Sequence, residues 1–125
     1  MSINDANINN NINLIKHINM FPGELSIIAG NSQYLQVKLK ELKDIINFEE
    51  IKIDANRLSL IMPNEHTIMF VPGNDHTIVE GLLVSGYITG SGVTHEMYET
   101  LKLRCDTFLS NKKLLKYKPL NGKDV

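Results

Sequence analysis

The stretch HTIMFVPGNDHTIVEGLLVSGYITGSGVTHEMYET, residues 66–100, decides the fold of this chain. It holds five of the eight glycines, which punctuate two short apolar runs, residues 68–71 and 82–88. A short apolar run that is bounded by glycine is typical of a buried strand. Near the end of the stretch the apolar residues have the spacing of a helix. The stretch therefore predicts a strand, a loop, a strand and a helix, in that order.

Upstream of this stretch, the sequence predicts a helix, a strand and a second helix. Isoleucines recur every three or four residues, which predicts a helix within residues 1–21 that ends before Pro22. The apolar run Leu25–Ala29 predicts a strand covered on both faces. Ser32 then caps a second helix, with leucines along one side and polar residues such as Lys38 on the other.

The middle of the chain has a hydrophobic period of two. Apolar and polar residues alternate over 50–54, 58–62 and 67–71, as in strands with one buried face. Turn-forming residues separate these segments at 55–56 and 63–65. The pattern predicts an antiparallel meander.

The last third of the chain carries strand and helix signals. The run Leu82–Ile88 suits a buried strand or a short helix, and a strand is favoured for Val84–Ile88. Thr94 is predicted to cap a helix with Glu96 in its first turn. Lys112–Tyr117 predicts a final strand, and residues 119–125 are expected to form a loose tail.

Together these elements predict a single α/β domain over residues 1–125, with helices packed on a mixed sheet; an α+β arrangement is the alternative. The two apolar runs favour central strands, and the alternating segments favour an antiparallel flank. The length suits one domain with a core and is too short for two of ordinary size.

Composition and charge exclude few partners. Hydrophobic residues make up 42% and charged residues 22%, and the net charge of −1 gives no general attraction to nucleic acid. No apolar run approaches the roughly 18 residues that span a membrane, and no secretory signal is predicted. A cytoplasmic protein with no membrane partner is expected, and its oligomeric state stays open.

Histidine and cysteine give no catalytic or metal-binding pattern. His66, His76 and His95 fall near predicted loops without the paired spacing of a metal site, so we interpret them as solvated. Cys105 excludes an internal disulfide, and its place on an apolar helix side favours a core role over a nucleophile. No cofactor or metal is predicted.

The C-terminal end is basic, with lysine at Lys112, Lys113, Lys116, Lys118 and Lys123. Such a run contacts phosphates in some proteins, but here only one aromatic residue is interleaved with it. A solvated surface is therefore favoured, and nucleic acid is a minor alternative partner.

The order and spacing of the elements resemble the middle of the ATPase domain of phage large terminases, the DNA-packaging motors. The segments that carry the resemblance are LSIIAG (25–30), TIMFVPGND (67–75), VEGLLVSG (79–86), YITGSGVTHEMYETLKLRC (87–105) and KKLLKYKPLNG (112–122). The fourth segment matches the family's Walker B strand and the acid-bearing helix after it, and the fifth matches a last strand and turn. The resemblance covers about three quarters of the chain.

This sequence departs from the family at the positions that carry its chemistry. The paired acids at the end of the Walker B strand fall on Thr89 and Gly90, which neither hold Mg²⁺ nor polarise a water. The phosphate loop GxxxxGK[ST] is missing. The resemblance thus implies a truncated, catalytically inactive relative with a degenerate P-loop-like fold.

These observations predict a protein-binding domain without enzymatic activity. One interpretation is a phage or mobile-element protein that inhibits or regulates a macromolecular machine, in anti-defence or in packaging. The alternative is an immunity protein or dedicated chaperone that neutralises one cognate toxin or effector.

The candidate binding residues lie at the predicted sheet end and on the last helix. Asn74, Asp75 and His76 follow a Pro-Gly turn and are expected to project from the sheet. Thr89 belongs to a glycine-lined surface that loss of the acids leaves vacated. Aromatic Tyr98 and the basic pair Lys112–Lys113 are expected to contribute an anchor and a rim.

Overall fold

Helices and strands alternate at both ends of the chain, and strands alone occupy its middle. The computed structural model describes residues 3–54 and 57–124. In chain order the elements are α1 (Ile3–Met20), β1 (Leu25–Gly30), α2 (Ser32–Ile45), β2 (Glu50–Asp54), β3 (Arg57–Ile61), β4 (Thr67–Pro72), β5 (Gly86–Thr89), α3 (His95–Asn111) and β6 (Leu120–Lys123). A single 3₁₀ turn, His76–Ile78, lies between β4 and β5.

The strands form one mixed sheet in the order β2-β3-β4-β1-β5-β6. β3 is antiparallel to both of its neighbours, whereas β1 is parallel to β4 and β5, and β5 is parallel to β6. The predicted meander and the predicted central position of β1 are confirmed, and so is the α/β class.

Each face of the sheet is covered by helix. α1 and α2 cover one face, whose core contains Leu14, Ile28, Leu42, Phe70 and Ile88. α3 covers the other face, whose core contains Ile27, Ala29, Val71, Met97 and Leu101. Successive residues of β1 therefore enter different cores, which explains why its sequence is apolar without alternation. No helix within the described ranges 3–54 and 57–124 has the length and apolar character to cross a membrane.

The connections after β1 and β5 leave the sheet toward opposite faces. β1 continues into α2 on one face, and β5 continues into α3 on the other. In an open α/β sheet, such a divergence creates a crevice outside the carboxyl ends of the strands, where ligands commonly bind. A binding site is therefore expected at this end of the sheet.

The helix caps agree with the predictions in one case out of two. Thr94 caps α3, and its side chain accepts a hydrogen bond from the Met97 backbone N–H. The cap of α2 is Asn31 rather than Ser32, because the Asn31 side chain accepts from the Tyr34 N–H at 2.8 Å. Asparagine and serine cap helices equally well, so the sequence does not distinguish Asn31 from Ser32 as the cap. The backbone conformation of the folded chain places Asn31 at that position.

Two predictions about the last strands are wrong. Residues 112–117 form turns rather than a strand, and Leu120–Lys123, expected within a loose tail, forms β6. β6 is held by its pairing with β5, and the Asp124 N–H donates to the Thr89 carbonyl at 2.7 Å. β5 itself starts at Gly86, two residues later than predicted. The turn predicted at residues 55–56 lies outside the described residues.

Candidate functional site

A cleft of about 470 Å³ opens beside the carboxyl ends of β1 and β4. Its walls are mainly apolar and come from Leu35 and Leu39 of α2, Leu58 of β3 and Phe70 of β4. Exposed polar side chains also line it, namely Asn31, Ser32, Gln36 and Asn74. An apolar pocket with a few polar groups, at this end of an α/β sheet, has the usual character of a binding site.

Three loops at the base of the cleft are hydrogen-bonded to one another. The Gly73 N–H donates to the Gly30 carbonyl at 2.9 Å, and the Thr94 N–H donates to the Gly73 carbonyl at 3.0 Å. The Asn31 N–H donates to the Ser91 carbonyl at 2.7 Å. A Cβ at Gly73 would lie 2.5 Å from the carbonyl oxygen of Gly92, so this approach of two backbones requires glycine.

Three of the sequence-predicted residues lie together at this end. Asn74 is exposed and lines the cleft, and the half-buried Asp75 and His76 follow it. His76 Nε2 lies 3.3 Å from Glu80 Oε1, one turn further along the chain. The prediction that this loop lies at the sheet end is therefore confirmed.

The vacated, glycine-lined surface predicted around Thr89 to Gly92 is wrong at Thr89 and Gly90, whereas Gly92 is exposed and lines the cleft. The Thr89 side chain is buried, and the Tyr34 ring packs against Gly90 and Gly30, where any added Cβ would collide with it. The two missing acids therefore leave no opening at this point, because a tyrosine from α2 occupies the space. Nothing in the local sequence of β5 indicates a tyrosine that lies more than fifty residues earlier.

The other predicted residues lie on or after α3, at its two ends. Tyr98 is half-buried near the start of α3, and the Lys123 ammonium lies 5.6 Å from the centre of its ring. Lys112 and Lys113 follow the other end of this 17-residue helix, about 20 Å away from Tyr98 along its axis. There Lys112 Nζ lies 3.2 Å from Glu24 Oε1, just before β1. The lysine pair therefore does not belong to the same site as Asn74.

Sequence reasoning missed a buried cluster of charged and amide groups behind the cleft. Its centre is an ion pair between Lys38 Nζ and Asp124 Oδ2 at 2.6 Å, with the side chains 1% and 4% exposed. We call it the charged cluster; its members are Asn7, Asn10, Asn11, Tyr34, Lys38, Glu41 and Asp124.

The charged cluster joins three elements that are far apart in sequence. Lys38 donates to Asn7 Oδ1 at 2.9 Å and to Asn11 Oδ1 at 2.6 Å, which ties α2 to α1. The Tyr34 hydroxyl donates to Asp124 Oδ2 at 2.7 Å, which ties α2 to the end of β6. Burial and the Asp124 carboxylate raise the pKa of Tyr34, so its hydroxyl remains a donor. Lys38, which the sequence pattern places among the polar residues opposite the leucines of α2, is therefore buried.

A second buried polar cluster lies at the opposite end of the sheet. We call it the histidine cluster; its members are His17, Ser26, His66 and Ser85. His66 is fully buried, so its interpretation as a solvated loop residue is wrong. His17 was missed, since one histidine in a helix gives no signal of burial. The prediction of a solvated position is confirmed for His95, which is exposed, whereas His76 is half-buried.

Hydrogen bonds fix the tautomer of each buried histidine. The Ser85 hydroxyl donates to the Leu25 carbonyl at 2.8 Å, so it accepts from His17 Nε2–H at 2.8 Å. His66 Nδ1–H donates to the Phe21 carbonyl at 2.7 Å, so Nε2 accepts from the Ser26 hydroxyl at 3.0 Å. Burial and the nearby His66 lower the pKa of His17 to about 4, and burial lowers the pKa of His66. Both rings are neutral at pH 7.

The lining of the cleft contains no ionisable side chain, since none of its residues carries a carboxylate, imidazole, thiol, amine or phenol. Within residues 3–54 and 57–124, no three His, Cys, Asp or Glu side chains are placed to hold a metal ion. Cys105 is buried, as predicted, and burial raises the pKa of its thiol to about 11.

Comparison of the chain with protein-family models, with curated protein sequences and with solved structures found no match.

Proposed function

We propose that this chain is a non-catalytic protein-binding domain that receives an apolar part of its partner in the cleft between α2 and the β3–β4 pair. The observation that carries the proposal is the lining of the cleft, with walls of Leu35, Leu39, Leu58 and Phe70 and a few exposed polar groups. Apolar anchors that are buried in such pockets supply most of the affinity of protein interfaces. General acid-base or nucleophilic catalysis needs titratable groups, which the lining lacks.

The position of Tyr34 supports the non-catalytic part of the proposal. In the terminase resemblance, the residues that follow β5 would face a nucleotide. Here the Tyr34 ring packs on Gly90 and its hydroxyl is bound to Asp124. A degenerate relative that has lost nucleotide chemistry and kept a surface fits this arrangement.

The biological role that we propose follows the same resemblance. The chain is of phage or mobile-element type and inhibits or regulates a macromolecular machine by binding one of its proteins. The identity of the partner separates this role from that of an immunity protein or dedicated chaperone, whose partner is a single toxin or effector.

Affinity purification of the tagged chain from its host, with a matched pair of variants, tests the proposal. Leu35→Glu places a charge in the cleft wall, whereas Val37→Glu places the same charge on the same helix at a side chain that is 61% exposed and outside the cleft. We expect Leu35→Glu to lower the affinity of the recovered partner at least tenfold, and Val37→Glu to preserve it. Circular dichroism and thermal unfolding verify that both variants fold.

Two results would overturn the proposal. One is equal partner affinity for folded Leu35→Glu, folded Val37→Glu and the unchanged chain. The other is magnesium-dependent ATP hydrolysis by the purified protein that is lost when a residue of this chain is changed.

A further inference from the structure

β2 is an edge strand that nothing covers in the described part of the chain. All five of its residues are exposed, and among the described residues it pairs with β3 alone. Ile53 is 77% exposed, a high value for isoleucine in a strand. A free edge presents unpaired backbone N–H and C=O groups to any chain that can extend beside it.

The two faces of β2 differ in character. Ile51 lies opposite Leu60 and Ile53 lies opposite Leu58, so both isoleucines share the face of the sheet on which the cleft opens. The other face carries Glu50, Lys52 and Asp54, and Lys52 Nζ lies 3.9 Å from Glu50 Oε2. The strand thus offers an apolar stripe on the cleft side and the charge pattern minus, plus, minus on the other.

This charge pattern disfavours a second copy of the chain as the occupant. Antiparallel pairing of β2 with itself, centred on Lys52, sets lysine against lysine and Glu50 against Asp54. Like charges directly opposite each other destabilise a strand pair. A shift of the register by two residues restores opposite charges but leaves only three of the five residues paired.

We propose that β2 accepts an extended segment of a protein partner as a seventh strand, and that this segment alternates basic, apolar, acidic, apolar and basic residues. The basic residues oppose Glu50 and Asp54, the acidic residue opposes Lys52, and the apolar residues cover Ile51 and Ile53. The pattern reads the same in both directions, so it serves parallel and antiparallel addition. Strand addition of this kind obtains affinity from the backbone and specificity from alternate side chains.

This inference rests on the proposed function, since the segment that pairs with β2 belongs to a protein partner. It adds that this part of the partner is an extended strand. Leu58, opposite Ile53, also lines the cleft. A segment on β2 therefore runs beside the cleft, and a neighbouring apolar side chain of the same partner can enter it.

Two synthetic peptides of equal length test the inference with the full chain. The first is acetyl-Gly-Lys-Val-Glu-Val-Lys-Gly-amide, and the second, acetyl-Gly-Glu-Val-Lys-Val-Glu-Gly-amide, reverses every charge. Each is titrated into the ¹⁵N-labelled protein while amide chemical shifts are recorded. We expect the first peptide to shift the amide signals of β2 and to bind at least tenfold more tightly than the second.

A charge reversal on the strand makes the test specific. Lys52→Glu should abolish the preference for the first peptide and favour acetyl-Gly-Lys-Val-Lys-Val-Lys-Gly-amide. Lys102→Glu, on an exposed site of α3, changes the net charge equally and should leave the preference intact. If the preference came from general electrostatic attraction, both variants would change it equally.

Equal binding of the two peptides, or shifts confined to residues outside β2 and β3, would overturn the inference. Concentration-dependent shifts of β2 without peptide would also overturn it, because they identify a second copy as the occupant. The affinity purification distinguishes this inference from the proposed function. If Leu35→Glu loses the partner and Lys52→Glu retains it, the proposed function is supported and strand addition to β2 is contradicted. If both variants retain the partner, the proposed function and the strand addition are both contradicted.

Discussion

The charged cluster and the histidine cluster lie at opposite ends of β5 and hold α1 in different ways. The charged cluster buries an ion pair, Lys38 with Asp124, and uses asparagines of the first half of α1 as acceptors. The histidine cluster holds the second half of α1 through His17, with neutral hydrogen bonds only. One helix is therefore attached at one end through charges and at the other end through neutral groups.

The difference shows that two buried polar clusters in one small domain respond to different perturbations. A buried ion pair recovers its desolvation cost only while both partners are present, so removal of one partner is costly. Neutral hydrogen bonds each contribute about 0.5–1.5 kcal/mol net, and they depend on the protonation state of the imidazole. Substitution should therefore act most strongly on the charged cluster, and pH on the histidine cluster.

Asp124→Ala should have the largest effect. It removes the carboxylate at 2.6 Å from the buried Lys38 ammonium, which then keeps, among the described residues, only Glu41 Oε1 at 3.7 Å, and it takes the acceptor from the Tyr34 hydroxyl. We expect the free energy of unfolding to fall by about 3–5 kcal/mol, as for other broken buried pairs. Urea denaturation at pH 7.5 measures the change.

Two control variants show whether the effect of Asp124→Ala comes from the buried charge. Addition of Lys38→Met to Asp124→Ala should restore part of the lost stability, because the buried ammonium that lost its nearest carboxylate is then also removed. Lys102→Ala breaks the exposed pair with Asp106 at 3.9 Å and should cost less than about 0.5 kcal/mol. A cost below about 1 kcal/mol for Asp124→Ala would contradict the assignment of a tight buried pair.

Lowering the pH should destabilise the histidine cluster. The pKa of His17 is lowered to about 4, so in the unfolded chain this imidazole takes up a proton near pH 6.5 while in the folded chain it does not. Its contribution is fully present above pH 6.5 and is lost as the pH falls toward 4. Between pH 7.5 and 5, we expect a loss of about 2 kcal/mol from His17. The lowered pKa of His66 adds a loss in the same direction.

His17→Asn provides the control for this pH dependence. The variant removes the titrating group, so its unfolding free energy should fall by about 2 kcal/mol less than that of the unchanged chain between pH 7.5 and 5. Only this slope is compared, whatever stability the variant has at pH 7.5. Identical slopes for the two proteins would show that His17 is not held neutral by the fold.

Glycine-to-alanine changes at the two ends of β5 should have the smallest effects and test how tightly each cluster is packed. A Cβ at Gly86 would lie 2.7 Å from Leu120 Cβ and 2.9 Å from His17 Cε1, and a Cβ at Gly90 would collide with the Tyr34 ring. We expect each alanine to cost about 1–2 kcal/mol by thermal or urea unfolding. Gly81→Ala meets nothing within 4 Å and should be neutral or slightly stabilising. Similar values at all three positions would contradict the close packing of both clusters.

The sequence alone determined the features that depend on neighbours along the chain. Period-two alternation over Glu50–Asp54 and its successors identified the antiparallel flank, because a strand with one buried face must alternate. The run Leu25–Ala29 identified the central strand, because both of its faces are buried. Thr94 identified the start of α3 through a cap that acts within one turn.

The tertiary structure alone decided the features that depend on distant partners. LNGK has little strand propensity and becomes β6 because β5 offers it a free edge. Lys38 and His66 are polar residues whose burial is stabilised by groups 27 to 86 residues away, so no local sequence pattern predicts that burial. The predicted site residues lie apart for the same reason. α3 starts at one end of the sheet, and because of its length Lys112 and Lys113 lie at the other end. Local pattern therefore predicted the elements with strong periodicity or a cap, whereas the packing of distant elements decided which weak segment became a strand and what each residue faces.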